Sequence, residues 1–203
     1  MHYAFQTPER LYFALDFVNG GDMFFHLRKK GRLTENEARF YICELILALE
    51  HLHKQGFIYR DLKPENILIG SDGHIKIADF GLSKHLGTDG KQQARSFCGT
   101  PQYLAPEVIM KKGYDFMIDW WCLGILIHEM IVGSPPYSDV NPERVIRDIM
   151  SIKYRAPDWF TSNLRSLLSE LLQKCPLARL GSPRTGGVEK IKSHPFFKNI
   201  DWE

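Results

Sequence analysis

The sequence has 203 residues, 44% hydrophobic and 25% charged, the mixture of an ordinary globular domain with enough apolar mass for a sizeable core. Lys and Arg total 26 against 24 Asp and Glu, and a net charge of +2 gives no argument for nucleic acid or an anionic membrane as an obligate partner. The longest apolar run, Trp120 to Ile127, is too short to span a bilayer, and no charged-then-apolar leader follows Met1.

Tyr3 and Phe5 alternate with smaller residues, Thr7-Pro8-Glu9-Arg10 turns the chain, and Leu11 to Phe17 is aromatic-rich, so the chain opens as two short strands. Gly20-Gly21-Asp22 breaks this pattern and opens a short helix over 23–29. Thr34-Glu35-Asn36-Glu37 is a capping box ahead of a long helix. Its apolar face is read as Phe40, Cys43, Leu47 and His51, widened by Ile46 and Leu49, with Gly56 as its stop. Ile67–Ile69 and Ile75–Ala78 flank Gly70-Ser71-Asp72-Gly73 as a hairpin.

Beyond about residue 107 the pattern is helical. Trp120 to Val132 is apolar on nearly every face, which predicts a buried central helix. Amphipathic segments near 141–151 and 161–173 follow, before His194-Pro195-Phe196-Phe197. The fold class is therefore α+β, a mainly helical body with a few short strands at its N-terminal edge and no internal repeat. Cys43, Cys98, Cys122 and Cys175 form no C-x-x-C pair, so a reducing compartment without disulfides or zinc is expected.

Tyr59-Arg60-Asp61-Leu62-Lys63-Pro64-Glu65-Asn66 sets a carboxylate, an ammonium and an amide within six residues. In an extended loop Asp61 and Lys63 project to the same side. Asp79-Phe80-Gly81 follows Asn66 by thirteen residues, and the hairpin between them returns the chain to its starting point. Asn66 and Asp79 should thus emerge side by side as two hard oxygen donors, suited to Mg²⁺, which shares its shell with water and phosphate. Asp61 is then placed to accept a hydroxyl proton and Lys63 to offset charge on a phosphate in transfer. A lone Asp-Phe-Gly is a common turn, and Asp61 with Asp79 alone would also suit a paired-carboxylate hydrolase. The order of the two segments, with Ala105-Pro106-Glu107 downstream, argues against coincidence.

With these motifs the chain resembles a eukaryotic protein kinase of the AGC group, near the branch of protein kinase B, SGK and the ribosomal-protein S6 kinases. The resemblance runs from Met1 to Trp202. Lys63, two residues after Asp61, matches the serine/threonine signature, and Tyr59 in place of the usual His is an AGC habit. It implies a kinase fold comprising a remnant N-lobe hairpin and hinge (1–18) and a helical C-lobe (19–203). It implies Asp61 as catalytic base, Lys63 as γ-phosphate contact and Thr100 as the group orienting both. Asn66 and Asp79 match the Mg²⁺ ligands. Asp16 and Val18 fall at the hinge, Leu15 at the gatekeeper, Leu68 at the adenine floor and Asp22 at the ribose contact, and Glu65 is counted with them as a cofactor-binding residue.

The resemblance further places Ser96 at the activation-loop phosphosite, with Arg60 and Lys84 as the cations that receive the phosphate. Glu107 and Arg179 match a buried structural ion pair, and Asp119 a helix-capping aspartate that steadies the catalytic loop. Asp22, Glu65 and Glu129 match acidic positions that bind arginines upstream of the target residue. The implied partners are basic Ser/Thr protein substrates and an upstream activating kinase for Ser96, and the implied location is the cytoplasm with the nucleus as a second compartment. Two departures stand out: Gln102 where relatives have Glu, which removes a charge near the peptide, and Cys175 where an Asp is common.

The 203 residues contain no G-x-G-x-x-G, no V-A-I-K-type lysine and no phenylalanine-rich tail motif. The resemblance therefore implies a nucleotide site with floor and hinge but no roof. Losing one preorganised charge-stabilising donor costs about 3–4 kcal/mol of barrier, so these residues alone are expected to transfer phosphate poorly. Three readings follow: part of an active kinase, a kinase-like module that binds nucleotide without transferring phosphate, or a platform for basic peptides. The intact set Asp61, Lys63, Asn66 and Asp79 favours the first.

Overall fold

The computed structural model describes residues 1–88 and 92–202. The chain opens with β1 (Tyr3–Gln6) and β2 (Leu11–Ala14), an antiparallel hairpin closed by Thr7 N–H donating to the Arg10 carbonyl at 2.8 Å. Phe5 and Tyr12 face each other in register, their rings stacked 5.0 Å apart. The second strand stops at Ala14, short of the aromatic run to Phe17.

Helix α1 (Met23–Lys30) is capped by Asp22, whose carboxylate accepts from Phe25 N–H at 2.7 Å. Helix α2 (Glu35–Lys54) begins with the expected capping box. Thr34 Oγ1 accepts from Glu37 N–H at 3.3 Å, and Glu37 Oε2 accepts from Thr34 N–H at 2.9 Å. Beyond its end Gly56 takes a left-handed φ of 79°.

The buried face of α2 keeps Ile46 and Leu49 of the one read off the sequence and otherwise differs from it. It consists of Ala38, Ile42, Leu45, Ile46 and Leu49, whereas Phe40 and Leu47 are exposed. Both stripes have helical spacing, and the position of the central helix decides between them. Phe40 instead lies beside the His74 ring at the surface, 5.7 Å between centroids.

Short strand β3 (Phe57–Ile58) pairs with β6 (Lys84–His85), and β4 (Ile67–Ile69) pairs with β5 (Ile75–Ile77), all antiparallel. The β4–β5 turn closes with Gly70 N–H donating to the His74 carbonyl at 2.8 Å. The remaining helices are α3 (Pro106–Ile109), α4 (Met117–Val132), α5 (Pro142–Ser151), α6 (Ser162–Leu171) and α7 (Gly187–Lys192).

Helix α4 is the axis of the molecule. All its residues are buried except Glu129 and Val132, and α2 and α6 pack against it. At about 1.5–3 kcal/mol for each fully buried aliphatic side chain, this helix anchors the body. Beside it the wholly buried Arg179 grips Glu107 with two hydrogen bonds (2.6 and 3.0 Å), donates to the Met117 carbonyl at 2.7 Å and lies over the Trp121 ring. Removing one partner of such a pair leaves an uncompensated buried charge, at a cost of about 3–5 kcal/mol. All four cysteines are unpaired. Among the described residues no helix is long and apolar enough to cross a membrane.

Candidate active site

The segment from Tyr59 to Asn66 runs from β3 into a short helical turn, Pro64–Asn66, that leads into β4. Within it the Asp61 carboxylate is buried, 8% exposed. Asn66 Nδ2 donates to both the Asp61 carbonyl and Asp61 Oδ2, each at 2.8 Å, and Lys63 Nζ lies 3.0 Å from the same Oδ2. Lys63 Nζ also donates to Thr100 Oγ1 at 3.4 Å. Asp61, Lys63, Asn66 and Thr100 thus form one network, and Asp61 Oδ1 has no hydrogen-bond partner among the described residues.

Ala78 N–H donates to the Asn66 carbonyl at 2.9 Å, extending the β4–β5 pairing by one rung. Asp79, the next residue, is exposed and takes a left-handed φ of 54°, a conformation Asp tolerates better than most side chains. Its Oδ1 accepts from Gly81 N–H at 3.0 Å. The Tyr59 hydroxyl donates to the Ala78 carbonyl, and its ring meets Phe80 edge-on at 5.4 Å. Burial, with the Asp61 carboxylate adding to it, pushes the Tyr59 phenol well above its ordinary range and keeps it a donor.

The loop backbone hangs from α4. Asp119, fully buried, accepts from Tyr59 N–H and Arg60 N–H at 2.9 Å each and bonds His53 Nε2 at 2.7 Å. These bonds hold Arg60 at φ 74°. Asp119 lies inside the helix rather than at its cap; Asp115 accepts the Met117 N–H at 2.9 Å.

Where α1 meets β4, Asp22 and Leu68 form an isolated antiparallel bridge, and Ile69 N–H donates to the Gly21 carbonyl at 2.9 Å. The approach is close enough that a Cβ on Gly20 would fall 2.1 Å from the Ile69 carbonyl oxygen. Val18 and Leu68 are half-buried, and Leu15 is exposed. Asp16 is exposed and bonds His2 at 2.7 Å, which lowers its pKa. Farther along the cleft, the Tyr103 hydroxyl donates to Glu129. Burial raises the Glu129 pKa, and the nearby Glu65 carboxylate raises it further. Helix α1, which starts at the Asp22 cap, packs on the turn that carries Glu65.

Arg60 Nη1 donates to Ser96 Oγ at 2.7 Å and to the Tyr114 hydroxyl at 3.0 Å, and the Tyr114 hydroxyl donates to the Ser96 carbonyl at 2.7 Å. An antiparallel bridge between Ala94 and Tyr114 brings these residues together. Lys84, exposed on β6 opposite Ile58, makes no hydrogen bond or ion pair with Ser96 among the described residues. Tyr114 and His53 are contributors that sequence reasoning missed. Each reaches the loop through a contact more than fifty residues away in the chain, which no local pattern announces.

The donor set fits Mg²⁺. Asn66 has committed its amide nitrogen to Asp61, which leaves Oδ1 as its remaining polar side-chain atom, and Asp79 adds an exposed carboxylate. Two hard oxygens are the sparse protein contribution Mg²⁺ accepts when phosphate and water complete its shell. Among the described residues no cluster of three or more His, Cys, Asp or Glu forms a self-sufficient metal site.

Residues 1–197 match the protein kinase domain family, and the chain belongs to it. The whole chain is 50% identical, over 204 aligned positions, to Protein kinase 2 of Dictyostelium discoideum, covering 41% of that protein. It is 47% identical to the RAC family serine/threonine-protein kinase homolog of the same organism, covering 45% of it. Against Ribosomal protein S6 kinase alpha-2 of Mus musculus the identity is 49% over 202 residues, covering 27%. These relatives are AGC kinases. The chain spans less than half the length of each.

Proposed function

We propose that these residues form the phosphotransfer site of an AGC-group serine/threonine protein kinase, with 1–18 as hinge strands and 19–203 as the catalytic lobe. The observation that carries this reading is the network of Asp61, Lys63, Asn66 and Thr100. Asn66 and Lys63 hold Asp61 through Oδ2, and Oδ1 remains to accept the proton of a substrate hydroxyl. As that O–H bond breaks, the hydroxyl oxygen bonds the γ-phosphorus of ATP and the bond to ADP is released. Lys63 follows the phosphate charge, and Thr100 keeps the ammonium in place. Asn66 and Asp79 would hold Mg²⁺, which when bound would neutralise charge on the phosphates. Asp16, Val18, Asp22, Glu65 and Leu68 line the nucleotide edge.

Asp22, Glu65 and Glu129 form an acidic rim that favours substrates with arginines upstream of the Ser or Thr. An arriving guanidinium relieves the mutual repulsion of Glu65 and Glu129. Phosphorylation of Ser96 by an upstream kinase would place close to two negative charges beside Arg60, which already donates to Ser96 Oγ, with Lys84 as the second cation of the reading. A cytoplasmic and nuclear location follows the same reading.

The test uses the intact protein, Mg²⁺, ATP and an arginine-containing serine peptide. Asp61→Asn should lower kcat by about 10²–10⁴-fold, the usual contribution of a positioned base, with the KM for ATP little changed. A variant within threefold of wild type would remove Asp61 from the chemistry.

A further inference from the structure

Two hollows, of about 280 and 520 Å³, lie between the segment that follows α5 and helix α6 with the residues just after it. Tyr154 and Ser169 line both and form their common wall. That wall is fixed to the core, because the Tyr154 hydroxyl bonds His128 Nδ1 on α4 at 3.0 Å. The smaller hollow is lined by Lys153 and Lys174, the larger by Arg155 and Arg165, and no acidic residue lines either.

Among the described residues the side chains of Lys153, Arg155 and Arg165 make no hydrogen bond or ion pair, and Lys174 gives one of its donors to the Met150 carbonyl at 2.8 Å. The neighbouring acids do not supply the missing charge. Glu170 accepts from Ser166 Oγ at 2.8 Å and lies 3.5 Å from His194, and Asp158, three residues past Arg155, forms no ion pair with it. The negative end of α5 favours cations beside it, which accounts for Lys153 and Lys174. It does not account for Arg165, the fourth residue of α6, which stands near that helix's positive end and shares a hollow with a second guanidinium.

We infer that the paired hollows bind a compact soluble ligand carrying at least two phosphate groups, one held by Arg155 and Arg165 and the other by Lys153 and Lys174. A phosphate monoester bears close to two negative charges at neutral pH and matches the two cations of a hollow, whereas a carboxylate matches one. Guanidiniums present a fork of donors suited to phosphate oxygens, and the Ser162 hydroxyl, uncommitted among the described residues, adds another donor to the larger hollow. The positive charge is local in a chain of net +2, which suits a small ligand better than a nucleic acid or a membrane, both of which call for a broad basic face.

The test titrates the intact protein with myo-inositol hexakisphosphate in Mg²⁺-free buffer containing about 150 mM KCl, which screens long-range attraction. One-to-one binding is expected. Arg155→Gln combined with Arg165→Gln, both at exposed positions, should weaken it about tenfold, and Lys153→Gln, also exposed, about threefold. Lys76→Gln combined with Lys112→Gln, exposed cations outside the hollows, should leave it within about twofold. Hydrogen exchange should slow over 153–156 and 162–174. An equal loss in the Lys76–Lys112 variant would reduce the effect to surface charge and overturn the proposal. So would unchanged binding by the double arginine variant, protection elsewhere, absence of binding, inorganic phosphate binding as tightly as the polyphosphate, or tighter binding to an RNA hairpin or to phosphatidylinositol bisphosphate vesicles.

Discussion

Arg60 is where separate parts of the site converge. Its backbone N–H is tied to Asp119, its Nε donates to the Leu82 carbonyl just past Asp79-Phe80-Gly81, and its Nη1 reaches Ser96 and Tyr114. A planar guanidinium can serve all three because its donors diverge from a rigid fork. The Tyr114 hydroxyl holds the segment around Ser96, the hold that the proposed phosphate on Ser96 would otherwise supply. Removing the hydroxyl loses this bond, while Arg60 Nη1 keeps its other acceptor, Ser96 Oγ, so the net cost is about 1 kcal/mol, or roughly fivefold. Tyr114→Phe is therefore expected to lower kcat/KM of the unphosphorylated protein about fivefold. The Ser96-phosphorylated protein should stay within twofold, because the phosphate–Arg60 contact takes over. Measuring both forms side by side checks this; an equal loss in each would make Tyr114 a structural residue only.

At the scale of elements, α4 carries a pH dependence. His128 is buried on it, bonded through Nδ1 to the Tyr154 hydroxyl at 3.0 Å, and burial holds its pKa down to about 4. The unfolded chain, with an ordinary histidine near 6.5, binds the proton more readily, so stability is lost as pH falls from 7 toward 4. Between pH 7 and pH 5 this group accounts for about 2 kcal/mol. Urea unfolding of His128→Leu should show a loss over that interval smaller than wild type by about that amount. Identical losses would place the titration elsewhere.

The elements also show where sequence reading stops. The start of α2 is legible because Thr34 and Glu37 bond each other's backbone across three residues, and its end because Gly56 alone suits the left-handed turn. Its buried face is not legible. Ile46 and Leu49 belong to both of two apolar stripes with helical spacing, and only the placement of α4 selects Ile42 and Leu45 over Phe40 and Leu47. The same divide runs through the site. Asp61, Lys63 and Asn66 lie within six residues and announce themselves, and the β4–β5 hairpin is written in its turn. The tie from Asp119 to the loop spans about sixty residues and came only through family resemblance, and Tyr114 came not at all.

At the scale of the whole molecule, the residues proposed as base, lysine, metal donors and phosphosite all lie between Tyr59 and Tyr114, and the start of the loop that carries Asp61 is fastened to the buried α4 through Asp119. The β1–β2 hairpin is different in kind. Tyr3, Phe5, Leu11 and Phe13 are all exposed, and a two-stranded ribbon is marginal in water unless something packs on it. The hydrogen bonds that tie Asp61, Lys63, Asn66 and Thr100 together use no residue of the hairpin.

The most direct test of the phosphotransfer site is a crystal of the intact protein grown with Mn²⁺ and a non-hydrolysable ATP analogue, located by anomalous scattering. The account predicts a manganese peak within about 2.3 Å of both Asn66 Oδ1 and an Asp79 carboxylate oxygen, beside the Asp61 carboxylate. A nucleotide-bound ion that touches neither residue would contradict it.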